Sequence, residues 1–158
     1  MDMQEQVKLK CRNSDFRVRE IGYLPQQNQK THFHYLLRKS GFTTFEAIAL
    51  LSAHFSIAED EIGFSGLKDE DGVTEQSISM CDDISEVMTL KFNEAHRFAN
   101  ERYIKLFRVP GKYGPLQVGA LLGNQFHIIL RNLEKEHAEY FLSRKKHTFF
   151  FINYYGTQ

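Results

Sequence analysis

The chain of 158 residues has no tryptophan, two cysteines and three prolines. Cys11 and Cys81 are too few for a disulfide framework or a four-thiolate zinc site. No apolar run approaches the ~18 residues of a membrane-spanning helix. The opening MDMQEQVKLK has no apolar core of the kind a secretory leader needs. The expected location is therefore the cytoplasm, with no membrane partner. Neither sign of charge is in excess, with 20 basic and 20 acidic residues. A stand-alone nucleic-acid binder usually carries a basic surplus, so only local basic patches are open to it here. Phosphate-loop, dinucleotide, nucleophile-elbow and zinc motifs are all missing, as are internal repeats. His32 and His34 would share one face of a strand, but no Cys, Asp or Glu stands at ligand spacing nearby, so no metal site is expected.

What is present is an ordinary globular composition, 42% hydrophobic and 25% charged, on a length that suits one domain with a real core. SDFRVREI reads as extended, with Phe16, Val18 and Ile21 apolar and Arg17 and Arg19 on the other face. YLPQQNQKT is a polar loop, and HFHYLLRKS is a second strand broken at SGF. Thr43 and Glu46 have capping-box spacing and open a helix whose apolar residues are Phe45, Ile48, Leu51 and Phe55. SIAEDE predicts a helical turn, IGFSG a short strand, and the alternation of VTEQSISM a returning strand. Asp83 and Glu86 predict a helix running to about Asn100, with Met88, Phe92, Ala95 and Ala99 as its buried stripe. YIKLFRV reads as a strand, KYGPLQVGALLGN as a loop, QFHIILRN as a buried strand, LEKEHAEYFLSRKK as an amphipathic helix with a basic end, and HTFFFINYYG as a last strand. This order predicts an α+β fold, a mixed and mostly antiparallel sheet with helices on one face.

Three features carry possible chemistry. GFSGLKDEDGVTEQ sets Asp69, Glu70 and Asp71 behind Lys68 in a tight turn. By itself it reads first as a solvated hairpin tip and second as one working carboxylate beside a cation. GNQF supplies Asn124, an amide able to meet a base edge or a carboxylate, and Phe126, a ring able to stack on a base. An Asx-turn with a core phenylalanine is the plainer reading. Basic residues gather at Lys8, Lys10, Arg12, Arg17 and Arg19, and again at Arg144, Lys145 and Lys146. Such runs are usually solvated faces, and either could meet phosphate.

Taken in order, SDFRVREI, KSGFTT, GFSGLKDEDGVTEQ, VGALLGNQF and INYYGTQ resemble successive motifs of the TruD-type tRNA pseudouridine synthases. The resemblance implies a partial pseudouridine synthase fold and an isomerase that turns uridine, at position 13 of tRNA, into pseudouridine without cofactor or metal. It implies Asp69 as the catalytic carboxylate, acting at the ribose. Lys10, Lys68, Asn124 and Phe126 would meet the substrate, and Thr74 and Gln76 would shape the loop. It also implies that residues 1–158 are the N-terminal portion of a catalytic domain, with the second half and an inserted domain absent. An open sheet edge would then invite self-association or the missing half. Departures are Glu70 and Asp71, which would repel phosphate, Gly72 in place of alanine, which would loosen the turn, and a loop before Asn124 with Lys112 as its one cation. They leave a second expectation, a non-catalytic relative that binds RNA or protein.

Overall fold

The computed structural model describes residues 7–22 and 31–143. The INYYGTQ motif, the expected last strand, Arg144, Lys145, Lys146 and residues 23–30 of the polar loop lie outside the described residues. The described chain falls into two compact units. One runs from Leu9 to Ile129, and the other includes residues 7–8 and 130–143.

The larger unit is built in the order β1 (Phe16–Gly22), β2 (Phe33–Ser40), α1 (Thr44–Phe55), β3 (Gly63–Phe64), β4 (Val73–Met80), α2 (Glu86–Ala95), β5 (Tyr103–Arg108) and β6 (Leu121–Ile128). The strands form one sheet in the order β5-β2-β4-β1-β6, with β3 paired to the far end of β4. The β1–β4 pair is parallel and the others are antiparallel. The expected mixed, mostly antiparallel sheet is what is observed.

Alternation explains the layering. Phe33, Tyr35 and Leu37 of β2 point to one face, as do Ile78 and Met80 of β4 and Ile104 and Leu106 of β5. All are buried, in one cluster with Ala47, Ile48 and Leu51 of α1 and Phe92 of α2. Both helices therefore cover the same face, and each buried large apolar side chain contributes about 1.5–3 kcal/mol of burial.

Two helix readings need correction. The capping box of α1 is present, with Glu46 N–H donating to Thr43 Oγ1 at 3.2 Å and Thr43 N–H donating to Glu46 Oε2 at 2.7 Å. However, the buried stripe is Thr44, Ala47, Ile48 and Leu51, and Phe45 is exposed. The hydroxyl of Thr44 is needed inside, which rotates Phe45 outward. The second helix starts from Ser85, whose Oγ accepts Met88 N–H, and ends at Ala95. Of its expected stripe only Phe92 is buried; Met88, Ala95 and Ala99 are exposed. Asp83 pairs instead with Arg108 at 2.7 Å. The helix stops because the chain must reverse into β5 through Asn100 and Glu101, both in the left-handed region.

That reversal closes one sheet edge. Ile104 N–H donates to His96 O at 3.0 Å, Leu106 N–H donates to Asn93 Oδ1, and Asn93 Nδ2 donates to Leu106 O. The Asn93 amide thus takes the place of a neighbouring strand. At the other edge β6 pairs with β1 alone among the described residues. β6 also begins at Leu121, inside the stretch read as a loop, and it is exposed rather than buried, with Leu122, Phe126 and Ile128 all open to solvent.

In the smaller unit Lys8 and Arg131 exchange two backbone hydrogen bonds, and α3 (Lys135–Leu142) is a short exposed helix. It is shorter than the expected amphipathic helix, whose basic end lies outside the described residues. No helix among the described residues is long and apolar enough to cross a membrane.

The Tyr35 hydroxyl accepts from Ile84 N–H at 2.8 Å and donates to Asp82 O at 3.0 Å, holding the entry to α2 against the sheet. Tyr35→Phe is expected to lower the unfolding free energy by about 1–3 kcal/mol in denaturant titrations, because Ile84 N–H is left buried and unpaired. An unchanged midpoint would show that this pair does not hold the α2 entry.

Candidate active site

Sheet register gathers the site. Across the face that carries the helices, one row reads Ile104, Lys39, Thr74, Val18 and Phe126; beside it Leu106, Leu37 and Gln76 stand in register on β5, β2 and β4, and Glu20 stands opposite Asn124 on β1 and β6. The β5 end of each row is apolar and covered by helices. The β6 end, Phe126 in one row and Asn124 beside it, is open to solvent. At that end the 65–72 loop, which joins β3 to β4, folds over the sheet.

The loop is held mainly through its backbone. Lys68 N–H donates to Thr44 Oγ1 at 2.9 Å, and that hydroxyl donates to Gln76 Oε1 at 3.1 Å. Gln76 Nε2 donates in turn to Gly66 O at 3.0 Å. From below, Lys39 Nζ donates to three carbonyl oxygens, Phe42 at 2.8 Å, Lys68 at 3.0 Å and Asp69 at 2.8 Å. Glu70 O accepts from both Gly41 and Gly72 N–H. A Cβ at Gly72 would lie 2.7 Å from Phe16 O and 2.9 Å from the Phe16 ring. Glycine here permits close approach of the turn to β1; it does not loosen the turn.

The expected residues fall into two groups. Lys68, Asp69, Asn124 and Phe126, with Val18 and Leu67, line an opening of about 130 Å³. This is well below the ~300–1,000 Å³ of typical ligand pockets, and it suits part of a larger substrate lying across it. Lys10 reaches the same place: its Nζ lies 3.7 Å from Asp69 Oδ2 and 4.2 Å from the centre of the Phe16 ring. Phe16 packs tilted on Phe126 at 6.1 Å. The Phe126 ring is 57% exposed, so part of it is free for stacking. Thr74 and Gln76 lie beneath, both fully buried.

Lys68 differs from the simple picture of a substrate cation. Its side chain is almost fully buried, with Nζ 3.0 Å from Glu20 Oε2. Glu20 Oε1 also accepts Ser77 N–H at 3.2 Å. Asp69, Glu70 and Asp71 are all exposed, Asp69 with 56% of its side chain open.

Lys39, Glu20 and Thr44 were not among the expected site residues. Strand alternation could have found the first two. Lys39 follows Phe33, Tyr35 and Leu37 at two-residue steps, and Glu20 follows Phe16 and Val18. In β1 it is Glu20 that points inward, whereas Ile21, expected on the apolar face, is exposed. His32 and His34 meet different partners. His34 Nε2 meets Gly114 O at 2.8 Å, His32 Nε2 meets Cys81 Sγ at 3.3 Å, and no group of three potential ligands occurs among the described residues.

The sequence profile of the family described as tRNA pseudouridine synthase D (TruD) matches residues 4–158. A tRNA pseudouridine synthase D from Aquifex aeolicus is 32% identical over 154 residues, 96% of this chain and 39% of that protein. One from Thermus thermophilus is 31% identical over 125 residues, 78% of this chain and 33% of that protein. The fold is similar to a crystal structure described as a putative tRNA pseudouridine synthase D from Methanosarcina mazei, with a TM-score of 0.69 and 27% identity, covering 86% of this chain and 30% of that one. The chain thus spans about a third of the length of these relatives.

Burial pushes the Lys39 ammonium down to about 8, against the upward pull of the Asp69 carboxylate. A lysine with a lowered folded value binds fewer protons folded than unfolded between that value and its ordinary 10.5. Its burial therefore counts in full against folding below pH 8 and is relieved as pH rises to about 10.5. The unfolding free energy of the wild type, measured relative to Lys39→Met, is expected to rise by about 1–3 kcal/mol across that window. Parallel pH profiles would place Lys39 in a solvated setting.

Proposed function

The chain belongs to the tRNA pseudouridine synthase D (TruD) family, and on that premise we propose that it carries the catalytic carboxylate of a uridine isomerase acting on tRNA, with position 13 as the target. The observation that supports this best is Asp69, an exposed carboxylate on a loop whose backbone is pinned, beside the exposed Phe126 ring and the Asn124 amide.

Uridine and pseudouridine are isomers, so no atom or electron need be supplied from outside. The N1–C1′ bond of the nucleoside breaks, the uracil turns, and C5 bonds to C1′ as C5 gives up its proton and N1 gains one. Asp69 acts at the sugar, either by attack on the ribose or by taking the proton that lets the base leave. The target base must leave its stack to be reached, and a free aromatic face offsets part of that cost. Phe126 offers that face and Asn124 offers amide donors and an acceptor. Lys10, 3.7 Å from Asp69, is placed to meet a phosphate. Lys68 acts chiefly through Glu20, by holding the loop to β1. The proposed setting is the cytoplasm.

The rest of the machinery is proposed to join at β6. Asn93 and His96 occupy the β5 edge, so extension of the sheet is directed to the opposite side. A segment completing the sheet, or a second copy of this chain, would pair there and bury Leu122, Phe126 and Ile128 in part. The exposed carboxylates Glu70 and Asp71 beside Asp69 favour a second reading, a relative that binds RNA or protein without catalysis.

Incubating the chain with a uridine-13 tRNA, alone and with a polypeptide completing the sheet, and mapping pseudouridine tests the first reading. Asp69→Asn is expected to cut the rate at least about a hundredfold with tRNA affinity retained. Product formation unchanged by Asp69→Asn would remove Asp69 from the chemistry. No product, together with an affinity that falls steeply with salt, would favour the second reading.

A further inference from the structure

Asp69 has an unusual division of restraint. Among the described residues its carboxylate is paired only with Lys10, at 3.7 Å, and it is more than half exposed. Its main chain, in contrast, is held by a buried cation. Lys39 is fully buried, and its ammonium has three N–H donors, all committed: two to the consecutive carbonyls of Lys68 and Asp69, and one to Phe42 just beyond β2. A fully buried lysine is costly unless its donors are satisfied. None of these acceptors is a carboxylate. Side-chain carboxylates facing it are Asp69 and Glu70 from the loop and Glu46 from α1, and Lys68 adds a like charge. β4 contributes the uncharged Thr74 on the same row.

We propose that Lys39 is the positioning residue of this site: it fixes the Asp69 carboxylate by clamping the two carbonyls that flank the Asp69 Cα–N and Cα–C bonds, and so leaves the carboxylate itself free to act. This rests on the reading of Asp69 as catalytic, and it deepens that reading by assigning the placement of the carboxylate to a residue on a different strand. Lys39 does not touch the substrate. A carboxylate held by side-chain hydrogen bonds would have to break them to reach the ribose. One held through its backbone has its geometry set and its oxygen atoms available. The Thr44–Gln76–Gly66 relay fixes the same loop one residue earlier, so without Lys39 the loop stays attached at Lys68 N–H while Asp69 can swing.

Amide hydrogen exchange on the full chain tests the clamp without requiring activity. In Lys39→Met the amides of Gly41 and Gly72, which both donate to Glu70 O, are expected to exchange at least about tenfold faster, while those of Ile78 and Leu106 keep their protection. Lys39→Gln, which brings two donors and no charge, is expected to loosen the same amides and serves if the methionine variant loses protection throughout β4. Unchanged exchange at Gly41 and Gly72 in a folded variant overturns the proposal. Kinetics on uridine-13 tRNA then separate positioning from bulk stability. The turnover number is expected to fall about a hundredfold with KM within about twofold of wild type. An unchanged turnover number with a loosened loop also overturns it. A wild-type chain that makes no pseudouridine even with the polypeptide completing the sheet, combined with the predicted loosening, rejects the catalytic reading of Asp69 and retains the clamp.

Discussion

The ammonium of Lys39 under the 66–72 turn is the constraint on which the site depends. A lysine in a sheet interior is stable there only if its three donors find acceptors, and the acceptors within reach are main-chain carbonyls. Satisfying them fixes where the turn can lie. That places Asp69 over the open β6 end of the sheet and forces Gly72 against Phe16, where a Cβ has no room. The Thr44 hydroxyl accepts Lys68 N–H, and the Gln76 amide, which accepts from that hydroxyl, donates to Gly66 O. The interior polar set therefore has few alternatives, and the loop geometry follows from it.

The sheet supplies the rest by register. One row brings Lys39, Thr74, Val18 and Phe126 side by side from four strands, and beside it Leu37 pairs with Gln76 and Glu20 with Asn124. The two ends of these rows have opposite characters. At β5 the helices and the Asn93 amide cover the sheet, whereas at β6 the strand is exposed. The candidate site lies where the covering stops, because there a carboxylate, an aromatic face and an amide can all be reached from solvent.

Much of this was legible in the sequence. The alternation in β2 and β4, the capping box at Thr43 and the acidic turn all stand where their residue patterns put them. The five ordered motifs pointed to the family that the comparisons show. The helix stripes were less legible. Phe45 looks like a core residue by spacing, but the buried hydroxyl of Thr44 decides the rotation of α1. The α2 boundary was misplaced because Asp83 can cap a helix and can equally pair with Arg108, and only the position of β5 selects between them. β6 was read as buried because QFHIILRN is apolar, and apolarity does not reveal whether a strand lies inside a sheet or at its edge. Lys39 and Glu20 are less legible because charged side chains ordinarily face solvent. Their phase in the strand pattern, shared with buried neighbours, says otherwise.

The Lys39 clamp is tested most directly by nitrogen-detected magnetic resonance of the Lys39 ammonium in the wild-type chain, below the pH at which it loses its proton. Slowly exchanging ζ protons, with scalar couplings through hydrogen bonds to the carbonyl carbons of Phe42, Lys68 and Asp69, are the predicted result. An ammonium that exchanges at the rate of a surface lysine and shows no coupling to Lys68 or Asp69 would contradict it.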